Sequence, residues 1–184
     1  GNGYDKEWTD EATKRGLVEY KNCFDCLAVL DDKDVLDLFE STNVLDKGEV
    51  SLRKSTFLKA YAETVKIESL TMLELLHKDI YPSLYKFATD LASSTKVCED
   101  KATGARTAMK EKILVALDSL YKGGEDLKVA LEKFDREEDL ATRALVAKEK
   151  LTVKLEEIRK TYDEIEEMLP NYLEPFPTYN DMLF

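Results

Sequence analysis

From residue 49 onward, apolar residues return every three or four positions along three successive stretches. The first carries Leu73, Leu76, Ile80, Leu84, Phe87 and Leu91, the second Ile113, Leu117, Leu120, Leu127, Leu131 and Phe134. The third, Leu151, Leu155, Ile158, Tyr162, Ile165 and Leu169, alternates steps of four and three and is a heptad seam flanked by Glu and Lys. This spacing puts the apolar residues of each stretch on one helix face. It predicts long helices over 49–95, from about Cys98 or Arg106 to Phe134, and over 138–169. Run straight, the first would reach roughly 70 Å at 1.5 Å per residue.

Breaks in the pattern carry further expectations. Pro82 has no N–H and its ring clashes with the carbonyl of Lys78, which predicts a kink or break there. Ser93, Ser94, Thr95 and Lys96 mark the expected turn. The second stripe lacks a member at Gly124, which follows Gly123. Two glycines inside a helix cost roughly 1 kcal/mol each relative to alanine. They predict a close helix–helix approach or a local bend. Pro170 ends the third helix.

Before residue 49 the pattern is shorter in range. DKEWTDEATKRG reads as a short helix that Gly16 ends at C′. The apolar segment CFDCLAVL follows. DDKDVLDLFESTN gives another short helix, capped by Asp31 or Asp32, with Val35, Leu36, Leu38 and Phe39 as apolar positions and Asn43 and Gly48 as breakers. Strand signals are absent. The expected fold is all-α: an antiparallel bundle of three long helices, the first kinked near Pro82, with short N-terminal helices. The expected divisions are 1–48, 49–169 and a C-terminal arm over 170–184.

That arm, within LPNYLEPFPTYNDMLF, holds three of the four prolines and a run of aromatics. Tyr172, Phe176, Tyr179, Met182, Leu183 and Phe184 are costly to leave in water, since burying each such side chain is worth about 1.5–3 kcal/mol. Pro170, Pro175 and Pro177 stiffen the arm and lower the entropy cost of docking it. Phe176, Tyr179, Leu183 and Phe184 are the expected anchors.

Composition narrows the function classes. The 184 residues are 43% hydrophobic and 35% charged, with a formal net charge of −11. An acidic surface repels phosphate backbones and anionic lipid, so no nucleic-acid or membrane partner is expected. No apolar run approaches the roughly 20 residues that span a bilayer. The polar, acidic opening GNGYDKEWTDEA predicts no signal peptide, and a start without methionine reads as a piece of something longer. Three cysteines, Cys23, Cys26 and Cys98, cannot all pair within the chain, which fits a reducing cytoplasm.

Candidate chemistry is thin. CFDC has the spacing of half a zinc site or a redox pair. A structural zinc needs four ligands, and only Cys98 and His77 remain, at no motif spacing. Cys23 and Cys26 therefore read as buried or half-buried structural thiols. His77, the single histidine, lies in LLHKD on a solvated helix edge without a visible partner. The acidic runs Glu132 to Asp139 and Asp163 to Glu167 read as solvated helix faces, because a di-iron bundle needs two Glu-x-x-His pairs. GNG and Gly123–Gly124 follow no strand and make no phosphate loop. No Ser/His/Asp or Cys/His constellation occurs. The expected catalytic, cofactor-binding and metal residues are none.

Four stretches, in order from residue 2 to residue 184, resemble the C-terminal portion of type III glutamine synthetases, the long-chain form. NGYDKEWTDEATKRGL is similar to that family's NGY-x-x-EW segment and EAEKRGL-type helix. DVLDLFESTNVL resembles its LFE-x-x-x-V segment. KAYAETVKIESLTMLELLHKDIYPSLYKF resembles its Y-x-K-T-x-x-I-E-x-x-T-M stretch with the following I-x-P-A. PFPTYNDMLF resembles its closing W-P-x-P-x-Y-x-x-L-L-F. Ser83 stands where alanine is usual, and CFDC replaces a proline- and alanine-rich connection.

The resemblance implies a parent enzyme that joins glutamate and ammonia with ATP and magnesium or manganese. In that family the metal carboxylates, nucleotide contacts and substrate arginines lie upstream, in a β-containing core, so no catalytic residue carries over to this chain. The resemblance implies a non-catalytic, cytoplasmic helical domain without cofactors of its own. Its partners would be the catalytic core and neighbouring subunits of a ring-type homo-oligomer, with 1–48 as the connection from that core. A second reading of the same residues is a stand-alone α-helical protein–protein interaction module without enzymatic activity.

Overall fold

The computed structural model describes residues 3–97 and 103–183, and every regular element among them is helical. Contacts divide the chain into two compact units, 1–62 and 63–184.

In the first unit, helix α1 (Lys6–Lys14) is capped by Asp5, whose side chain accepts from the Glu7 N–H. It ends as the sequence predicts, at Gly16 with φ +76°. Helix α2 (Cys23–Ala28) starts from a reciprocal cap, in which Asn22 accepts from the Asp25 N–H at 2.9 Å and donates to the Asp25 carboxylate at 2.7 Å. A 3₁₀ turn over Val29–Asp31 leads to α3 (Lys33–Ser41). Asp32 holds the N-cap position of α3 without a side-chain cap bond, and Asp31 instead pairs with Lys54. Val35, Leu36 and Phe39 are half-buried, whereas Leu38 is exposed. Asn43 takes the left-handed conformation at φ 55° after α3.

Helix α4 (Lys47–Leu75) opens with a capping box: Asp46 Oδ1 accepts from the Glu49 N–H, and Glu49 Oε2 accepts from the Asp46 N–H, both at 2.8 Å. Gly48 therefore sits in its first turn and does not break it. The division between the two units falls inside α4, between Ala62 and Glu63.

Pro82 does not break the helix. A single π turn over Leu76–Ile80 precedes it, the Tyr81 N–H bonds to the Leu76 carbonyl, and α5 (Tyr81–Val97) continues. The extra residue in that turn takes up the missing N–H and the ring clash, so the conflict costs one widened turn. Helix α5 also runs through Ser93 to Lys96, where the sequence predicts a turn; the connection to the next helix lies beyond Val97, outside the described residues.

Helix α6 (Thr103–Arg136) packs against α5 and α8 (Thr152–Glu166). Between α6 and α8 run α7 (Leu140–Val146), capped by Asp139 through the Thr142 N–H, and a second π turn over Ala147–Leu151. Leu76, Leu84, Ile113, Leu120, Leu127 and Phe134 form the centre of this core, each 0% exposed. The α8 seam is buried at Leu151, Ile158, Tyr162, Ile165 and Leu169, while Leu155 is half-exposed. Helix α8 stops at Glu166, three residues before the expected end. A short helix, α9 (Tyr179–Leu183), closes the described chain.

Candidate functional site

The residues weighed for chemistry do not converge. Cys23 and Cys26 are free and exposed, so the expectation of buried or half-buried thiols is corrected: Leu27 is the buried residue of α2. Cys98 lies outside the described residues. His77 sits exposed in the first π turn, edge-to-face with Tyr81 at 5.4 Å. The acidic runs lie at the surface, tied in part to neighbouring cations through Glu132–Arg136 at 3.0 Å and Asp135–Lys66 at 2.6 Å. Among the described residues no three His, Cys, Asp or Glu side chains come together to hold a metal ion.

What the fold builds is a set of packing joints. Gly123 and Gly124 face two neighbours at once. A Cβ on Gly123 would lie 2.9 Å from Ile158 Cγ1 of α8, and one on Gly124 would lie 3.2 Å from the Tyr81 hydroxyl of α5. The close approach expected from the glycine pair is thus present on both sides of α6. The Tyr81 hydroxyl donates to the Leu120 carbonyl at 3.1 Å. Its phenol is pushed up to about 12, chiefly by burial, with Tyr85, Glu125 and Tyr121 adding to the effect.

A second joint surrounds Phe134. Arg143 lies over its ring at 4.4 Å and pairs with Glu63 at 2.9 Å, and Lys66 approaches the same ring at 5.9 Å. The Arg143 Nε is buried without a hydrogen-bond partner among the described residues. Stacking on the ring holds that guanidinium in place although one of its donors stays unused.

The third joint is the arm. Leu173 is 9% exposed, and its carbonyl accepts from the Ser83 hydroxyl. The Tyr162 hydroxyl donates to Glu174 at 2.6 Å, and Tyr162 meets Phe176 edge-to-face at 5.6 Å. Burial first, then that bond to Glu174, pushes the Tyr162 phenol far up. Phe176 and Met182 form one lip of an apolar groove of about 520 Å³, with Met72, Ile80 and Ile158 opposite. Of the expected anchors, Phe176 makes contact. Leu183 is corrected to exposed, at 70%, because α9 turns it outward. Phe184 and the Tyr179 side chain lie outside the described part of the chain. The anchor missed was Leu173, whose signal was its place one turn after Pro170.

Residues 1–99 match the family model of the glutamine synthetase C-terminal domain. Over its full length the chain is 31% identical to a glutamine synthetase of Butyrivibrio fibrisolvens, of which it covers 27%. It is 20% identical to the type-3 glutamine synthetase of Dictyostelium discoideum and 21% identical to a glutamine synthetase of Bacteroides fragilis (strain YCH46), covering 26% of each. The chain thus spans about a quarter of the length of the curated relatives it matches. With more than half of its residues inside the family match, and that match running from the first short helix through α5, this chain belongs to the glutamine synthetase C-terminal domain family.

Proposed function

We propose that the chain is the non-catalytic helical domain of a type III glutamine synthetase and that it supports packing of the catalytic core or assembly of the oligomer. One observation carries this reading: the whole chain aligns with only about a quarter of each relative, one of them a type-3 enzyme. In this reading residues 1–48 connect to the catalytic portion, 49–169 form a bundle of three long helices, and 170–184 dock as an arm. Neighbouring subunits of a ring-type homo-oligomer, in the cytoplasm, are the further partners. Among the described residues no helix is long and apolar enough to cross a membrane.

The parent would join glutamate and ammonia using ATP and magnesium or manganese. The described residues of this chain do not fit a divalent ion, since no cluster of three ligating side chains forms. The reading therefore assigns those groups to the rest of the polypeptide and gives this chain a packing role alone.

The test compares the pure chain with the full-length polypeptide. The chain alone is expected to show neither ATP binding nor glutamine formation. The full-length protein is expected to show both, and to lose its oligomer when this region is deleted. Turnover by the chain alone would overturn the reading. A reading frame that starts at residue 1 would overturn it in favour of the stand-alone interaction module.

A further inference from the structure

Tyr85 on α5 and Leu114, Asp118 and Tyr121 on α6 line an open notch of about 470 Å³, floored by Leu117. Steps of four and three put the α6 residues on one helix face. Leu117 is 5% exposed, but Tyr85 is 59%, Tyr121 57% and Leu114 45% exposed. Tyr85, Glu125 and Tyr121 are electrostatic neighbours of the Tyr81 hydroxyl. Glu125 is paired with Lys128 at 2.6 Å. Asp118 has no hydrogen-bond or ion-pair partner among the described residues.

Two exposed phenol rings beside an unpaired carboxylate make a specific chemical demand. A cation seated over an aromatic face gains about 0.5–2 kcal/mol. A guanidinium meets the demand better than an ammonium: its plane stacks on the ring while its edge pairs with a carboxylate through two N–H groups. Tyrosine and arginine are also the residues that most often dominate an interface. The net charge of −11 favours a cationic partner. The relatives are roughly four times as long as this chain, so most of the polypeptide that packs around such a domain lies outside it.

We propose that this notch is a docking point for an arginine side chain carried by the upstream portion of the same polypeptide. The proposal rests on the reading above, that the chain packs against such a portion, and it names the contact. Tyr85 and Tyr121 sandwich or edge the guanidinium, Leu114 and Leu117 cover its aliphatic stem, and Asp118 takes its charge.

The experiment places the photo-cross-linking residue p-benzoylphenylalanine at position 121, and separately at position 67, in the full-length polypeptide. Ile67 is an exposed residue of α4, at 63%, and serves as the comparison site. Cross-links are mapped by mass spectrometry. Position 121 is expected to link to an upstream peptide that contains an arginine. Asp118→Arg is expected to abolish that link while leaving thermal unfolding unchanged, because Asp118 is exposed. A link from position 121 to a second copy of this domain or to another protein, or no link at all, overturns the proposal. A link from position 67 to the upstream portion would then leave the packing role standing. Absence of upstream links from both positions would sink the packing role as well.

Discussion

The hydroxyl of Tyr81 rests against the bare α-carbon of Gly124. A Cβ there would lie 3.2 Å from that hydroxyl and 3.3 Å from Leu76 Cδ1, and the hydroxyl uses the space to reach the Leu120 carbonyl one turn earlier. Both neighbours are buried, Leu76 completely. Neither has room to retreat.

Alanine at either core glycine should therefore destabilise the chain, although alanine is the better helix former. Gly123→Ala should cost about 1–3 kcal/mol, the usual range for overpacking a core, because its Cβ would lie 2.9 Å from the branch of Ile158. Gly124→Ala should cost about 1 kcal/mol net of the gain in propensity. Gly104, where an added Cβ would meet nothing within 4 Å, should tolerate alanine or gain from it. Denaturant unfolding of the three variants gives the ranking, and a stabilised Gly123→Ala would contradict the packing account.

Alkaline pH should unfold the protein early. An unfolded tyrosine ionises near pH 10, whereas the folded chain holds the Tyr81 proton up to about 12. That stabilisation is complete below about pH 10 and is lost as pH rises from there through the folded value. Tyr162 is shifted in the same direction. Each such tyrosine should lower stability by about 1.4 kcal/mol per pH unit while only the unfolded chain ionises. Urea unfolding at a series of pH values should be flat up to about pH 9 and fall above 10. Tyr81→Phe should make the fall shallower.

The arm should be held at Leu173 and not at its tip. Leu173→Ala should cost about 2–3 kcal/mol, whereas Leu183→Ala, at a position 70% exposed, should be near neutral. Removing residues 170–184 should lower the melting temperature more than Leu173→Ala does. An unchanged melting temperature after that truncation would mean that the Ser83–Leu173 and Tyr162–Glu174 bonds add nothing to stability.

At Phe134 the guanidinium of Arg143 should not be replaceable by an ammonium. Arg143→Lys keeps the charge but loses the planar stack on the ring and alters the contact to Glu63, and should cost about 1 kcal/mol. A Glu63→Gln background isolates the ring contribution: there the Arg143→Lys cost should persist, and its disappearance would assign the whole effect to the ion pair.

Cys23 and Cys26 should both react with a thiol reagent in the native state, because both are exposed. Slow labelling that requires denaturant would contradict this. Zinc titrated into the chain should leave the labelling rates unchanged.

Much of this architecture was legible before any coordinate. Period-3.6 patterning placed the long helices, since Leu76, Leu84, Ile113, Leu120 and Leu127 on those stripes are all fully buried. Local chemistry placed one end, Gly16 at a positive φ after α1, whereas the caps at Asp46 and Asp139 were not read from the sequence and α8 stops at Glu166, short of Pro170. The glycine pair signalled a close approach without saying which helices meet there. What pattern could not reach was how conflicts are resolved. Pro82 predicted a kink or break because local rules count one lost N–H and one clash. A π turn of five residues absorbed both, and continuous burial of Leu76, Ile80 and Leu84 offsets that widened turn.

The sequence alone determined that the chain is helical and where apolar faces lie, because those follow from spacing along the chain, and four of its stretches carried the resemblance to its family. It left open which side of each element meets another. Cys23 and Leu183 read as apolar and turned out exposed, while Leu173 carried little signal and became the arm's anchor. Burial of such single residues depends on neighbours distant in the chain: Ser83 beneath Leu173, Tyr81 above Gly124, Ile158 against Gly123. Only packing brings those pairs together, and only packing set Tyr85, Tyr121 and Asp118 around one notch.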